Sequence, residues 1–208
     1  FGLKTGLVAE SWKWTIDWGK DEAAVVYQIR QGIHWALNPA SEASKLIGGR
    51  QMTADDVVFS LRQKIQDPRA YFYRTNLDLI NIEITKTGPW EVTIKKIPPL
   101  RLMFLLSNFG DSNGRIVPPE VVTKYGDMAK WQNSVGTGPF MLTEFVPGSQ
   151  AVMVRNPNYW MKDPVGPGKG NQLPYLNAFR YLILPDASTR QAALRTGKID
   201  RLSAVSQE

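Results

Sequence analysis

His34 is the one histidine of the chain and cysteine is absent. That removes disulfides, thiolate zinc sites, multi-histidine metal sites and cysteine nucleophiles from consideration. A Ser-His-Asp arrangement would have to use His34, which sits in an extended piece between Ile33 and Trp35. A satisfied or solvent-facing ring is the simpler reading there. The adjacent carboxylates Asp55 and Asp56 look like an acid–base pair, but they follow Thr53 at the start of an amphipathic run, where helix capping accounts for them. No G-x-x-x-x-G-K-[ST] occurs, and Gly136-Thr137-Gly138 is too short for a phosphate loop and is followed by Pro139. No nucleophile–base pair, metal cluster or cofactor cradle emerges, so no enzyme activity, metal or cofactor is expected, and a hydrolase of unrecognised type stands only as a distant alternative.

Binding asks for less than catalysis: exposed backbone, a few aromatic walls and a hinge. The stretch 134–160 offers these. It reads as a glycine-rich turn, a strand, the Pro147-Gly148 turn, a second strand, and an Asn156-Pro157-Asn158 exit that aims Tyr159 and Trp160. Gly136 and Thr137 supply open backbone and one hydroxyl, and Tyr159 an aromatic wall. A further group, Tyr71-Phe72-Tyr73, follows the stop of a helix; three aromatics in a row cannot all face one core in a strand. Gly136, Thr137, Tyr159, Tyr71 and Phe72 are therefore the candidate ligand-binding residues. Each has a second reading: the glycine turn can serve only the strand pair, and two of the three aromatics can be core with the third holding its hydroxyl in water. For Trp160 a core role is the better reading.

The elements that must position these residues alternate between hairpins and helices. Trp12, Trp14 and Ile16 recur at period two and answer Val25, Tyr27 and Ile29 across a polar turn at 17–22. A loop is expected at 38–50, then a helix from Thr53 with Val57, Val58, Leu61 and Ile65 as its buried stripe, ended by Asp67-Pro68. Segments 80–85 and 90–95 alternate as a second hairpin. Pro98-Pro99 opens a helix that is apolar nearly all round and so is expected to be well buried, and 116–126 holds another. The Gly/Pro-rich segment 163–174 is the best linker; beyond it come a strand at 175–184 and a helix at 187–196 closed by Gly197. The fold class is mixed α+β, with β-hairpins and flanking helices.

Composition bounds the partners. The formal charge is +6, yet Lys95-Lys96 is the one adjacent basic pair singled out, and no basic block stands beside an aromatic platform, so nucleic acid is not an expected partner. No apolar run is long enough to span a bilayer. Phe1-Gly2-Leu3-Lys4 shows neither an initiator Met nor a signal pattern, which reads as an excised or mature segment.

Several ordered motifs together resemble one family. Ala9-Glu10-Ser11-Trp12 is followed by Tyr27-Gln28-Ile29-Arg30-Gln31-Gly32-Ile33-His34-Trp35 and by Thr53-Ala54-Asp55-Asp56-Val57-Val58-Phe59-Ser60. Then come V-G-T-G-P-F at 135–140, R-N-P-N-Y-W at 155–160, and R-x-x-A-L-x-x-G-x-I-D ending at Asp200. This series is similar to the solute-binding proteins of ABC importers, in the oligopeptide/dipeptide/nickel-binding family 5. It departs from the family at 38–50, where an insertion replaces a His-Asp-Gly-like turn. The resemblance implies a fragment of a two-lobed, type II periplasmic-binding-protein-like fold. Residues 1–65 would end a small β-rich subdomain, 66–160 would form part of the first major lobe, and 161–208 would hold the linker and the start of the second. It further implies a non-enzymatic receptor for a small solute, peptides first and sugars or nickel chelates next, that closes by hinge motion and delivers to ABC permease subunits. Its place would be the periplasmic or extracellular face of the cytoplasmic membrane, with a lipid anchor as one means of attachment. The isolated 208 residues would bind solute weakly, since half the pocket would be missing.

Overall fold

The computed structural model describes residues 7–109 and 114–202; the sequence readings that touch 1–6 and 203–208 lie outside these residues. Strands β1 (Ala9–Asp17), β2 (Glu22–Ile29), β3 (Glu83–Gly88) and β4 (Glu91–Ile97) form one antiparallel sheet in the order β1-β2-β4-β3. The first hairpin turns because the Asp17 carboxylate accepts the Gly19 and Lys20 amides at 3.0 and 3.2 Å. In register, Trp14 faces Val25, Val25 faces Ile94, and Ile94 faces Ile84, so all four share one side of the sheet. Helix α2 (Ala54–Gln66) covers that side with Val57, Val58, Leu61 and Ile65, and Val25, Ile84 and Ile94 are sealed beneath it. The cover stops short of β1: Trp12 packs on the core, whereas Trp14 and Ile16 stay 48% and 37% exposed.

The start of α2 follows from its sequence. The Asp56 carboxylate reaches back to accept the Thr53 amide at 2.8 Å and is gripped by Arg50, which also reaches Glu120 at 2.7 Å. Arg50 thereby ties α2 to α5 (Pro119–Tyr125). These two carboxylates hold the guanidinium charged more firmly than usual, and the hydrogen bond from Arg50 pulls the Glu120 carboxyl below the usual range.

Three readings of local structure are corrected. The loop expected at 38–50 contains helix α1 (Glu42–Ile47), capped by the Ser41 hydroxyl and closed by Gly48 at φ 62°. The helix is only six residues long, too short for periodicity to reveal it. The aromatic triplet is helical, not extended: α3 (Tyr71–Thr75) splays the three rings around an axis, leaving Phe72 and Tyr73 half-buried and Tyr71 77% exposed. Helix α4 (Leu102–Phe109) is not buried all round; it lies on the rim of the core and seals only Leu102 and Leu105, three residues apart on one face. Met103 stays 57% exposed.

Strands β5 (Phe140–Val146), β6 (Gln150–Arg155) and β7 (Ala178–Leu182) make a second antiparallel sheet, followed by α6 (Ala187–Arg195). The Asp186 side chain caps α6 by accepting the Thr189 amide, and its hydrogen bonds with Ser188 and Thr189 hold its carboxyl at about 2. The burial contrast between the two sheets is large. Among the described hydrophobic residues of the second sheet only Met141 is buried, while Phe145, Val146, Tyr181 and Leu182 are exposed. Residue 65 lies within α2, and residue 160 lies in the connection between β6 and β7. Residues 134–139, the seam, lead from the part of the chain around the first sheet into β5 of the second.

Candidate functional site

Two buried asparagines hold the glycine turn from opposite sides. On the first unit, the Asn38 side-chain amide donates to the Leu142 carbonyl at 2.7 Å, and the Ala36 amide donates to the Gly136 carbonyl at 2.9 Å. On the second unit, the Asn156 side-chain amide donates to the Gly138 carbonyl at 2.9 Å and its backbone amide to Pro139 at 2.8 Å. Asn156 then turns the chain outward: its side-chain oxygen accepts the Asn158 amide at 3.1 Å and its carbonyl the Tyr159 amide at 3.2 Å. At 1% exposure this asparagine is a structural pin, as an N-P-N sequence permits.

The carbonyls of Gly136, Gly138 and Pro139 are thus all engaged, whereas the amides of Gly136, Thr137 and Gly138 have no acceptor among the described residues. The Thr137 hydroxyl likewise makes no hydrogen bond among them. Neither glycine has a positive φ, and an added Cβ would meet only the Gly138 nitrogen at 3.9 Å from Gly136 and nothing within 4 Å from Gly138. Backbone strain and crowding therefore do not call for glycine here; what the glycines leave is an open face of backbone donors.

Tyr159 is tied through its amide to Asn156, the residue that holds the Gly138 carbonyl. Its ring lies 5.6 Å from that of Trp160, and its hydroxyl approaches the Met161 sulfur at 3.5 Å. Partial burial raises its phenol above the ordinary range. Trp160 packs against the core of the first unit with the Arg30 guanidinium 5.0 Å above its ring, a cation–π contact across the seam and the core role expected for it. Asn156 is the link between Tyr159 and the turn, since it bonds the Gly138 carbonyl and the Tyr159 amide alike. Tyr71 and Phe72 are grouped elsewhere: Phe72 stacks on Phe104 at 5.9 Å, the Lys64 ammonium lies 5.0 Å from the Phe72 ring centroid, and α3 packs on α2.

His34 is exposed and pairs through Nδ1 with the Gly49 carbonyl at 2.9 Å, a satisfied ring without a nucleophile. No group of three or more metal-ligating side chains occurs among the described residues. An open groove of about 480 Å³ runs along α2, lined by Asp55, Phe59, Arg62, Gln63, Gln66 and Asp67 with Val58. Four of its polar groups are already used: Arg62 on the Ile84 carbonyl, Gln66 on that of Ile82, Asp55 by Lys86 and Asp67 by Arg69. Sequence reasoning missed Asn38 and Ser41 because both lie in the insertion, where the family pattern offers no guide.

The sequence model of bacterial extracellular solute-binding proteins, family 5 middle region, matches residues 5–208. The chain belongs to this family. The family 5 oligopeptide-binding protein OppA of Salmonella typhimurium, a periplasmic protein, is 25% identical over 215 aligned positions that cover 93% of this chain and 34% of that protein. Among solved structures, Haemophilus influenzae OppA in complex with the peptide RPPGFSPFR superposes with a TM-score of 0.69 at 23% identity, over 92% of this chain and 36% of that one. MoaA of A. tumefaciens in complex with mannopinic acid superposes at 0.65 with 28% identity, over 94% of this chain and 34% of that one. The chain thus spans about a third of the length of these relatives. Family 5 is a family of binding proteins, and the mixed α/β architecture with its two sheets is part of a two-lobed periplasmic-binding-protein fold. No helix among the described residues is long and apolar enough to cross a membrane.

Proposed function

We propose that this chain forms part of a solute receptor of an ABC importer that binds peptides at the seam and closes over them by hinge motion. The observation that carries the reading is the row of amides at Gly136, Thr137 and Gly138 that have no acceptor among the described residues, on a turn that Asn156 links to Tyr159. Extended peptides are rich in carbonyl acceptors and end in a carboxylate, the groups to which such a row can donate. Tyr71, exposed on α3, and Phe72 beside it would meet the distal part of a longer peptide. Closure would be a population shift driven by a ligand that touches both lobes, with the second lobe supplied by the rest of the protein. Delivery to a membrane permease and a place outside the cytoplasmic membrane belong to the same reading, as does the absence of catalysis.

A second reading keeps the receptor and replaces the peptide by a carboxylated sugar derivative or nickel chelate. The same amide row favours it, because a carboxylate satisfies those donors whatever carries it. The test is a tryptophan-fluorescence titration of the full-length protein with pooled di- to hexapeptides, neutral sugars and mannopinic acid. A saturable response to peptides is expected. A response to mannopinic acid alone would transfer the assignment to the second reading, and silence to all three would remove the peptide and sugar readings of the seam.

A further inference from the structure

The insertion at 38–50 folds into a buried polar device. Asn38, Ser41 and Ser44 are at most 5% exposed, and their side chains are all engaged. The Ser44 hydroxyl accepts the Asn38 amide at 2.6 Å and donates to the Ala36 carbonyl, fixing the chain that leads into α1. The Ser41 hydroxyl accepts the Ser44 amide as helix cap at 3.0 Å, and its single proton points at the Ser134 carbonyl at 2.7 Å, with that of Gln132 at 3.0 Å. The Asn38 side chain accepts the Ala40 amide at 3.1 Å through its oxygen and donates to Leu142 through its nitrogen.

These bonds seize the backbone on both flanks of the glycine turn: Gln132 and Ser134 before it, Leu142 after it, and Gly136 itself through Ala36. Between the clamped flanks lie the three amides that have no acceptor among the described residues. We propose that Asn38 and Ser41 are positioning residues for the Gly136–Gly138 turn, holding its free donors in the direction from which a solute arrives. The α1 segment contacts no solute itself; it acts through the turn. A buried amide or hydroxyl left without its partner costs free energy of the order of a lost hydrogen bond, so each clamp point resists displacement. This inference rests on the solute-binding reading for its functional consequence, but not for the clamp.

The test therefore has two arms on the full-length protein. Asn38→Asp keeps the acceptor for the Ala40 amide and replaces the donor to Leu142 by a repelling oxygen. In the solute-free arm, amide hydrogen exchange is followed at Ala36, whose N–H is held by Gly136, with Val25 and Ile94 as core controls. Exchange at Ala36 should quicken by about tenfold with the controls unchanged; an unchanged Ala36 overturns the proposal. If the Asp variant does not fold, Asn38→Gln, which displaces the same amide by one methylene, is read in the same way. In the solute arm, affinity for the peptide pool is measured for wild type, N38D, T137A and the double variant. N38D should weaken binding by about tenfold, and the loss should shrink to below about twofold in the T137A background, because both act through one turn. An equal loss in both backgrounds overturns the positioning role. If the wild-type protein binds no peptide, the functional reading fails on its own and the exchange arm alone decides the clamp.

Discussion

The Asn38 side chain and the Leu142 carbonyl, 104 positions apart in sequence, meet at 2.7 Å across the seam between the two sheets. That bond, with Ala36 to Gly136, makes the first unit the frame on which the glycine turn hangs. Asn156 completes the suspension, so the turn is fixed by its carbonyls while its amides have no acceptor among the described residues.

Replacing Asn156 should therefore damage both stability and binding. Asn156→Ala leaves the Gly138 carbonyl and the Asn158 amide without their partner in a site of 1% exposure. The expected cost is about 1–3 kcal/mol, a fall in Tm of roughly 2–4 °C per kcal/mol for a chain of this size. Calorimetry together with a peptide titration would show both losses; an unaltered melt would mean that the turn is held by something other than this side chain.

Gly138→Ala should separate stability from binding. An added Cβ meets nothing within 4 Å and the backbone is not left-handed, so stability should change by less than about 1 kcal/mol. The methyl group would nonetheless stand on the open face of donors and weaken solute affinity. Thr137→Val should act likewise by removing the hydroxyl while keeping its shape. Melting curves and affinities for both variants provide the check, and a binding site elsewhere would leave both affinities at the wild-type value.

Acid should loosen the tie between α2 and α5. Glu120 in the folded chain titrates below its unfolded value of about 4.3 because Arg50 hydrogen-bonds its carboxylate. Its contribution is complete above that unfolded value and fades as pH falls through the lower folded one. Wild type should therefore melt above Glu120→Gln at neutral pH, with the gap closing below about pH 4. With a side-chain exposure of 45% the gap will be small, about 1 kcal/mol or less. A gap independent of pH would assign the difference to packing.

Much of this architecture was legible because it is local. Trp12, Val25 and the 80–95 alternation announce hairpins by period two, and Thr53 with Asp56 announces a helix start. The grouping of elements was not legible, since β4 inserts beside β2 across some 60 residues of helix and turn, and no local pattern records that pairing. The apolar run at 100–106 misled for a related reason: apolar composition does not say whether partners exist to cover it. At the site, glycines and aromatics were visible as types. The polar clamp was not, because Asn38 and Ser41 gain their meaning only from carbonyls about a hundred residues away.

The two sheets should respond differently to the same truncation. Ile94 sits on a central strand at 1% exposure, flanked in register by Val25 and Ile84 and covered by α2. Ile94→Ala removes methyl groups from a site that cannot collapse without moving the sheet, and the expected loss is about 2–5 kcal/mol. Val152 occupies the matching central strand of the second sheet, between Glu144 and Arg180, but is only half-buried. Water already reaches it, so Val152→Ala should cost about 1 kcal/mol or less in the 208-residue chain. In the full-length protein, where the rest of the second unit would cover β6, the cost at Val152 should rise toward that at Ile94. Parallel denaturant melts of both variants in both lengths decide the matter. A Val152 cost that is the same in the short and long chains would show that nothing further packs on this sheet, and would count against the two-lobed receptor from which the binding proposal follows.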